Sequence, residues 1–280
     1  MHNKNIQPLA QSQAPIAYPT KDYLWLHIRE IPYFRSLMRA VEASFYPKID
    51  LPGPILDVGC GDGHFVTIAL DRPPDVGLDP WWAPLREARQ RGGYRLLLQA
   101  DGGRMPFPEA YFGSAFSNSV LEHIPQVEGV LKEVARVLKP GAAFVFCGPN
   151  HNFLPSLSIG GFLDRAGLRG IGDAYRAFFN RISRHYHSDS PEVWQERLDK
   201  TGFTVERWWH YYSPQALHVT EWGHYFGLPS LVVKKLIGRW ILVPERWNLA
   251  LTDKLVRRYY QPETENPDGV CTFYIARRKG

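Results

Sequence analysis

The chain has 280 residues, of which 44% are hydrophobic, enough for one large domain or a domain with insertions. Its formal net charge of +5 is mild and no block of Lys and Arg is present, so we expect no nucleic-acid partner. No apolar run reaches the ~18–20 residues of a membrane span, and no signal-peptide core is visible.

The first fifty residues predict a tail followed by helices. Residues 1–20 are polar and contain proline, and we expect a disordered leader there. Apolar residues recur at helical spacing from Asp22 to Tyr46, and Pro32 interrupts them. We therefore assign residues 21–50 to an N-terminal helical extension.

Strands and helices alternate through residues 51–149, which we assign to a ligand-binding core. This alternation predicts a parallel, doubly wound sheet that binds its ligands at the carboxyl ends of the strands. The predicted strands are Ile55–Val58, Asp75–Leu78, Tyr94–Gln99, Ser114–Ser117 and Ala142–Cys147, and the predicted helices are His64–Leu70, Trp82–Arg91 and Val127–Leu138.

The alternation breaks after Pro149. We expect two insertions that cap the ligand-binding edge together with the N-terminal helices. Ser190 and Pro191 are typical of a helix start, and Gly202 of a helix end. The assignments are 150–189 to a first cap insertion, 190–212 to a helix and strand six (Phe203–Trp209), 213–268 to a second cap insertion, and 269–280 to the last strand (Val270–Ala276) and the C-terminus.

A glycine-dense turn follows the first predicted strand. Gly59, Gly61 and Gly63 lack a Cβ where the backbone must bend and approach a ligand. The third glycine of a dinucleotide-binding G-x-G-x-x-G loop is missing. Asp57 precedes the turn, and a carboxylate there suits a ligand that carries a cation better than it suits a pyrophosphate.

The run from Ile55 to Phe65 resembles motif I of the class I S-adenosylmethionine (SAM)-dependent methyltransferases. Ala100-Asp101-Gly102-Gly103-Arg104-Met105-Pro106-Phe107 resembles a signature of their small-molecule branch (methyltransferase type 11-like), as does the segment from Ser117 to Ile124. The resemblance is strong from Ile55 to Phe146 and extends to Arg277. It implies a Rossmann-like, doubly wound, seven-stranded methyltransferase sheet with helical cap insertions, in which strands six and seven form a terminal hairpin. It also implies SAM as the cofactor.

The resemblance carries specific cofactor roles onto this chain. Asp79 would accept hydrogen bonds from both ribose hydroxyls, since a carboxylate can accept two. Asp101 would accept from the adenine amino group, and backbone carbonyls near Asn118 would hold the methionine ammonium. The cofactor-binding residues expected in this way are Asp57, Gly59, Cys60, Gly61, Gly63, Asp79, Pro80, Asp101, Gly102 and Asn118, with Trp81 beside the adenine as an open alternative to internal packing.

Methyl transfer from a sulfonium is an in-line displacement that alignment can accelerate, although a hydroxyl acceptor benefits from a base. The candidate catalytic residues are His123, His151, His185 and His187, and each is also compatible with a structural role. Glu122 and His123 are adjacent ligand types, but no second acidic pair is visible, so we predict no metal site.

Residues 229–244 predict an amphipathic helix. Val232, Leu236 and Trp240 would share one face, opposite Lys234 and Arg239. Such a helix suits peripheral contact with a membrane surface that supplies a lipid-linked substrate. It also suits a cap helix whose apolar face packs on the core, and we favour the cap.

The sequence thus predicts a SAM-dependent methyltransferase that acts on a small or lipid-like molecule, with oxygen as the acceptor atom from family frequency. The three widely spaced cysteines suggest buried thiols in a reducing cytoplasm, with the membrane surface as an alternative location. Two other functions stay open: an NAD(P)-dependent oxidoreductase, which the missing glycine argues against, and a non-catalytic SAM-binding subunit, which the intact acidic residues argue against. The acceptor and the oligomeric state do not follow from the sequence.

Overall fold

The computed structural model describes residues 21–262 and 265–280, so the predicted leader lies outside the described residues. A seven-stranded sheet has the order β3-β2-β1-β4-β5-β7-β6. All neighbours are parallel except β7, which is antiparallel to β5 and β6. The predicted methyltransferase sheet is thereby confirmed. The strands are β1 (Ile55–Val58), β2 (Val76–Asp79), β3 (Leu96–Gln99), β4 (Phe112–Asn118), β5 (Leu138–Pro149), β6 (Phe203–Tyr211) and β7 (Cys271–Arg278).

Helices cover both faces of the sheet, and two apolar clusters fill the space between them. The apolar stripe of α5 shows the pattern, because Val127, Leu131 and Val134 recur at helical spacing and are all buried. The helices are α1 (Tyr23–Ile28), α2 (Tyr33–Phe45), α3 (His64–Ala69), α4 (Trp82–Arg91), α5 (Val127–Val137), α6 (Ser158–Arg165), α7 (Arg169–Ser183), α8 (Pro191–Lys200), α9 (Pro214–Phe226), α10 (Leu228–Ile237) and α11 (Arg246–Arg257).

The strand order reverses between β1 and β4, and this reversal positions the site. β1 is completely buried between β2 and β4, as expected for an unbroken apolar strand in a parallel sheet. The loops that follow β1 and β4 leave in different directions, which opens a crevice at the carboxyl edge. β6 and β7 form the expected hairpin, with Tyr211 opposite Cys271, although the second cap insertion separates them in sequence.

The N-terminal extension packs directly against the second cap insertion. Asp22 caps α1 by accepting from the Trp25 N–H, and Pro32 precedes α2. α9 approaches α2 closely because a Cβ on Gly223 or Gly227 would lie 2.2 or 2.3 Å from ring or Cβ atoms of Phe34. The two glycines therefore make room for one aromatic side chain.

A buried carboxylate joins the two cap insertions. Glu221 of α9 accepts from the backbone N–H and the hydroxyl of Ser158 at 2.7 and 2.6 Å, and from the Ile159 N–H. The Tyr175 hydroxyl donates to its other oxygen at 2.6 Å. Since these donors come from α6 and α7, the two insertions form one helical cap.

The helix predicted over residues 229–244 is wrong in extent. α10 ends at Ile237 because Gly238 adopts a left-handed conformation, with a φ of +77°, and Trp240 lies beyond it. Leu231, Val232, Leu236 and Ile237 of α10 are exposed, with Leu236 at 78%, so the favoured packing on the core is not observed for them. Within the described ranges, no helix is both long and apolar enough to cross a membrane.

Candidate active site

The three glycines after β1 all have positive φ, but for different reasons. A Cβ on Gly59, at a φ of +83°, would lie 2.4 Å from Cγ1 of Val120, so packing accounts for this glycine. A Cβ on Gly63 would lie 3.2 Å from Ala88 and Tyr94. A Cβ on Gly61, at a φ of +54°, would meet nothing within 4 Å, so its backbone faces open space. Gly61 is therefore the position where a ligand can approach the loop.

Asp79 ends β2 beneath this loop. One carboxylate oxygen accepts from the Gly61 N–H at 3.0 Å, and the other accepts from the Trp81 N–H at 2.9 Å. Burial raises the pKa of Asp79, and the two backbone hydrogen bonds oppose that shift. Each oxygen keeps a lone pair, so the carboxylate can still accept from ligand hydroxyls.

Asp57 and Cys60 are buried beside the loop. Asp57 accepts from the Tyr94 hydroxyl at 2.6 Å. Burial raises the pKa of Asp57 to about 7, and the Tyr94 hydrogen bond opposes this rise. Cys60 donates its backbone N–H to the Leu78 carbonyl, and burial raises the pKa of its thiol. The Cys60 side chain is therefore a thiol and not a thiolate.

The residues expected around an adenine line the outer rim. Asp101 is exposed and accepts from the Gly103 N–H at 2.9 Å. Gly102 is buried, and a Cβ on it would lie 3.3 Å from Val130. Pro80 is exposed and Trp81 is 72% exposed, so the indole is free of internal packing and available to a ligand.

Asn118, at the end of β4, is fixed by residues that the sequence analysis did not single out. Its Nδ2 donates to Glu42 of α2 at 2.6 Å, and its backbone carbonyl accepts from Arg39 at 3.2 Å. Glu42 is completely buried and also accepts from Ser119, at 2.7 Å, and Tyr211, at 3.0 Å. No motif marks Glu42; only its charge within the apolar pattern of α2 could have indicated a buried partner.

A cavity of about 200 Å³ adjoins this network, at the carboxyl ends of β4 and β5. We call it the acceptor pocket. It shares Arg39 and Ser119 with the surroundings of Asn118, so it opens next to the expected methionine end of the cofactor. Its other lining residues are Phe34, Arg35, Met38, Glu122, His123, Gly148, Pro149, Phe153, Phe179, Ser183, His185, Thr220, His224 and Cys271.

The structure separates the four candidate histidines. His123 and His185 line the acceptor pocket, with ring centroids 5.2 Å apart. His187 bonds through Nε2 to the Ile124 carbonyl at 3.0 Å, and His151 is exposed beside His210, so neither lines the pocket. All four side chains follow strands or helices at the correct edge, but only two point into the cavity.

Burial controls the ionisation of the pocket groups. It lowers the pKa of His185 to about 3, and it lowers the pKa of His123. Both imidazoles are therefore neutral near pH 7. Burial also raises the pKa of Glu122 to about 8. His224, which sequence reasoning missed, also lines the pocket, and its Nδ1 donates to the Thr220 carbonyl at 2.8 Å.

The residues around the crevice fit SAM. The open space at Gly61 admits a ligand against the loop, and Asp79 has lone pairs for ribose hydroxyls. The Asn118 backbone carbonyl lies at the strand end; it accepts from Arg39 and keeps a second lone pair for a further donor. These features lie along the edge of β1, β2 and β4, where doubly wound sheets bind nucleotides.

Known proteins agree with this geometry. Residues 56–146 match the sequence profile of a family described as a methyltransferase domain. The trans-aconitate 2-methyltransferase of Sinorhizobium fredii is 31% identical over 188 residues, which cover 64% of this chain and 70% of that protein. The malonyl-[acyl-carrier protein] O-methyltransferase of Pseudescherichia vulneris is 31% identical over 107 residues, 38% of this chain and 43% of that protein.

The fold likeness extends over most of the chain. A Thermotoga maritima structure described as a SAM-dependent methyltransferase, possible histamine N-methyltransferase, superposes with a TM-score of 0.53. The match covers 88% of this chain and 91% of that one at 16% identity, and shows the fold alone. With the relatives and the site geometry, the conclusion is that the chain belongs to the class I SAM-dependent methyltransferases.

Proposed function

We propose that this enzyme transfers the methyl group of SAM to an oxygen atom of a small or lipid-like molecule held in the acceptor pocket. The observation that carries the proposal is the position of this pocket. It adjoins Asn118 through Arg39 and Ser119, at the strand ends where the cofactor's methionine end is expected. An acceptor there would meet the reactive end of the cofactor.

The cofactor-binding residues act by holding and orienting. When bound, SAM supplies a methyl group already activated on a sulfonium, whose leaving group is neutral. Asp79 would hold the ribose, and the backbone at Asn118 the methionine ammonium. The Glu42 carboxylate fixes Asn118 and Ser119 from below. Alignment of this kind can supply much of the acceleration of an in-line displacement.

The pocket walls select an apolar acceptor and exclude water. Phe34, Met38, Phe153 and Phe179 come from α2 and from the first cap insertion. Arg35 also lines the pocket, with its guanidinium over the Trp240 ring at 5.7 Å, and its charge suits an acceptor that carries a negatively charged group beside an apolar part. The named O-methyl activity of the malonyl relative supports oxygen as the acceptor atom.

His185 is the residue we assign to proton removal from a hydroxyl acceptor. Its Nδ1 is buried and has no partner among the residues described. As the acceptor oxygen bonds to the methyl carbon and the sulfur–carbon bond breaks, the hydroxyl proton must leave, and His185 can accept it. His123 is the neighbouring alternative. A carboxylate acceptor has already lost its proton and requires neither histidine.

A second part of the proposal is peripheral membrane contact through residues 229–244 and the adjoining α11. Leu231, Val232, Leu236 and Ile237 of α10 are exposed, as are Trp247 and Leu251 of α11. Residues 228–258 contain seven Lys or Arg and two Asp or Glu. An exposed apolar surface within a basic segment is typical of proteins that bind anionic lipid surfaces.

The test is transfer of isotope-labelled methyl from SAM to a panel of hydroxyl, carboxyl and amine compounds of graded chain length, with the product mass measured. We expect methyl esters or ethers of apolar acceptors. His185→Asn should lower kcat for a hydroxyl acceptor more than it changes KM, whereas His218→Asn, whose ring bonds to the Ser156 carbonyl, should match the wild type. Products methylated only on nitrogen would overturn the proposed acceptor atom.

A further inference from the structure

Three potential metal ligands meet in the wall of the acceptor pocket. Glu122, His123 and His185 each present one ligand atom, and these atoms all lie within 4.8 Å of one another. The first two follow β4, and the third follows α7, more than sixty residues later. We call them the Glu122 cluster.

Glu122 brings a buried oxygen that lacks a partner. The residue is only 3% exposed, and its Oε2 has no hydrogen-bond partner among the described residues. Its Oε1 lies 3.7 Å from Nε2 of His123. Buried carboxylate oxygens normally have donors, because an unpartnered polar atom in the interior is costly. This oxygen therefore points to a missing partner.

His123 is oriented as metal-binding histidines usually are. Its Nδ1 lies 3.1 Å from the Arg184 carbonyl, which can only accept, so Nδ1 carries the hydrogen and donates. The lone pair is then on Nε2, the atom that faces Glu122. A backbone carbonyl that fixes the tautomer in this way is the common outer partner of a ligating histidine.

His185 supplies the second unpartnered atom. Its Nδ1 is buried without a partner within the described ranges. The backbone around it is fixed, because the Tyr186 N–H donates to the Glu122 carbonyl at 2.7 Å and Asn180 donates to the His185 carbonyl at 3.2 Å. The segment after α7 is thus held against the segment after β4, and the cluster is a built arrangement.

We propose that the Glu122 cluster binds a divalent transition metal ion through one carboxylate oxygen and two imidazole nitrogens. This set suits Zn²⁺, Fe²⁺, Mn²⁺ or Co²⁺. Two ligand atoms about 2.0–2.2 Å from Zn²⁺ lie at most about 4.4 Å apart. The 3.7 Å between Oε1 of Glu122 and Nε2 of His123 already meets this limit. Arg39, which also lines the pocket, is neutralised by Glu42 at 2.9 Å.

Three protein ligands leave coordination positions open towards the acceptor pocket. An oxygen or nitrogen atom of the acceptor could occupy one, which would fix its orientation. This consequence rests on the proposed function, whereas metal binding itself does not. With a metal ion bound, His185 would be a ligand and not a base, and the metal would instead lower the pKa of a coordinated acceptor hydroxyl. Sequence patterns predicted no metal here because the third ligand becomes a neighbour only in the fold.

The test uses the full chain, freed of metal with a chelator and titrated with Co²⁺ alone. We expect one equivalent to bind and to give visible d–d absorption, which Zn²⁺ should displace. Glu122→Gln, His123→Asn and His185→Asn should each weaken Co²⁺ binding by about 10–100-fold or more. This range is the loss in metal affinity when a residue that hydrogen-bonds to a metal ligand is removed, and loss of a ligand itself should cost at least as much. The matched control is His218→Asn, which should bind as the wild type does. Of the three variants, His123→Asn should disturb folding least, because the His123 side chain is 42% exposed.

Binding of less than one equivalent of Co²⁺ would overturn the metal site, as would equal Co²⁺ affinities of the cluster variants and His218→Asn. Both measurements are made without SAM or acceptor. Co²⁺ binding that the cluster variants weaken, without any methyl transfer, would retain the metal site and count against the proposed function. Methyl transfer without such Co²⁺ binding would retain the proposed function and overturn the metal site.

Discussion

The carboxylate of Glu42 accepts a hydrogen bond from Nδ2 of Asn118 over 2.6 Å, although the two residues are 76 positions apart. Glu42 belongs to the N-terminal extension, and Asn118 ends a central strand of the sheet. The extension therefore reaches the cofactor site itself, beyond its place in the cap. Arg39, one helical turn earlier in α2, bonds to both residues.

Glu42→Gln should destabilise the fold and weaken the cofactor site together. The change removes a buried charge from Arg39. It also places an amide N–H against donors at either oxygen, Ser119 and Tyr211 at one or Asn118 and Arg39 at the other. We expect a loss of about 3 kcal/mol in the free energy of unfolding, as for a broken buried ion pair. The affinity for S-adenosylhomocysteine should fall about tenfold, equal to about 1.4 kcal/mol. Urea unfolding and calorimetry measure the two effects.

The exposed Glu196→Gln is the control for Glu42, since its ion pair with Lys200 lies in solvent. Glu196→Gln should change neither the free energy of unfolding nor the binding free energy of S-adenosylhomocysteine by more than about 0.5 kcal/mol. Unchanged affinity for S-adenosylhomocysteine in a folded Glu42→Gln protein would show that α2 does not support the cofactor site.

Gly61→Ala should impair binding more than stability. Gly61 and Gly92 both have positive φ, at +54° and +69°, and a Cβ on either meets nothing within 4 Å. Each alanine variant should lose about 1–2 kcal/mol of stability from the left-handed conformation. Only Gly61→Ala should also lose affinity for S-adenosylhomocysteine, because its methyl group would project where the ligand approaches. Equal affinities of the two variants would remove Gly61 from the site.

Asp57 should give the ligand-free protein a distinct pH dependence. Burial raises its pKa in the folded chain from 3.8 to about 7. Between these pH values the folded state keeps a proton that the unfolded state has lost. The stability this proton contributes is present below about pH 4 and is lost as the pH rises to about 7, by about 1.4 kcal/mol for each unit of pKa difference.

Asp57→Asn should lack this part of the pH dependence, while Asp71→Asn, at an exposed site, should retain it. Urea unfolding across this pH range gives the difference between the curves. Parallel curves for the wild type and Asp57→Asn would contradict the assignment.

Leu236→Asp should reduce binding to anionic phospholipid vesicles. Burial of a leucine side chain is worth about 1.5–3 kcal/mol, so we expect a loss of about tenfold or more. Leu96→Asp is the matched control, because Leu96 is also exposed but lies on β3, outside the cap. Co-sedimentation with anionic and with neutral vesicles measures the effect. If the wild type sediments with neither kind of vesicle and forms a concentration-dependent dimer in solution, the apolar surface instead binds a second copy of the chain.

Local patterns predicted the core well because its elements are contiguous in sequence. Strand one was expected at Ile55–Val58 and is observed there, and the turn, its glycines and Asp79 follow from short motifs. The family assignment also sets aside the NAD(P)-dependent alternative. Local patterns could not give side-chain directions: His151 and His187 follow the correct elements but do not line the pocket.

Contacts between distant segments were beyond prediction. The Glu42–Asn118 bond and the approach of His185 to Glu122 depend on how the helical extension and cap pack on the sheet. The amphipathic pattern of residues 229–244 identified an apolar face, but whether that face is covered depends on tertiary packing, and the structure leaves it exposed. The spacing of apolar residues shows that a helix has an apolar face, but it does not show what packs against that face.

The most direct test of the central claim is calorimetric titration of the wild type and Asp79→Ala with S-adenosylhomocysteine. Asp79 is the carboxylate beneath the glycine turn that we assign to the ribose. The account predicts micromolar binding by the wild type and a loss of about 100-fold or more in the variant, as expected when a charge-assisted hydrogen-bonding group is removed. Equal affinity in the two proteins, or no binding by a folded wild type, would contradict the cofactor site described for this chain.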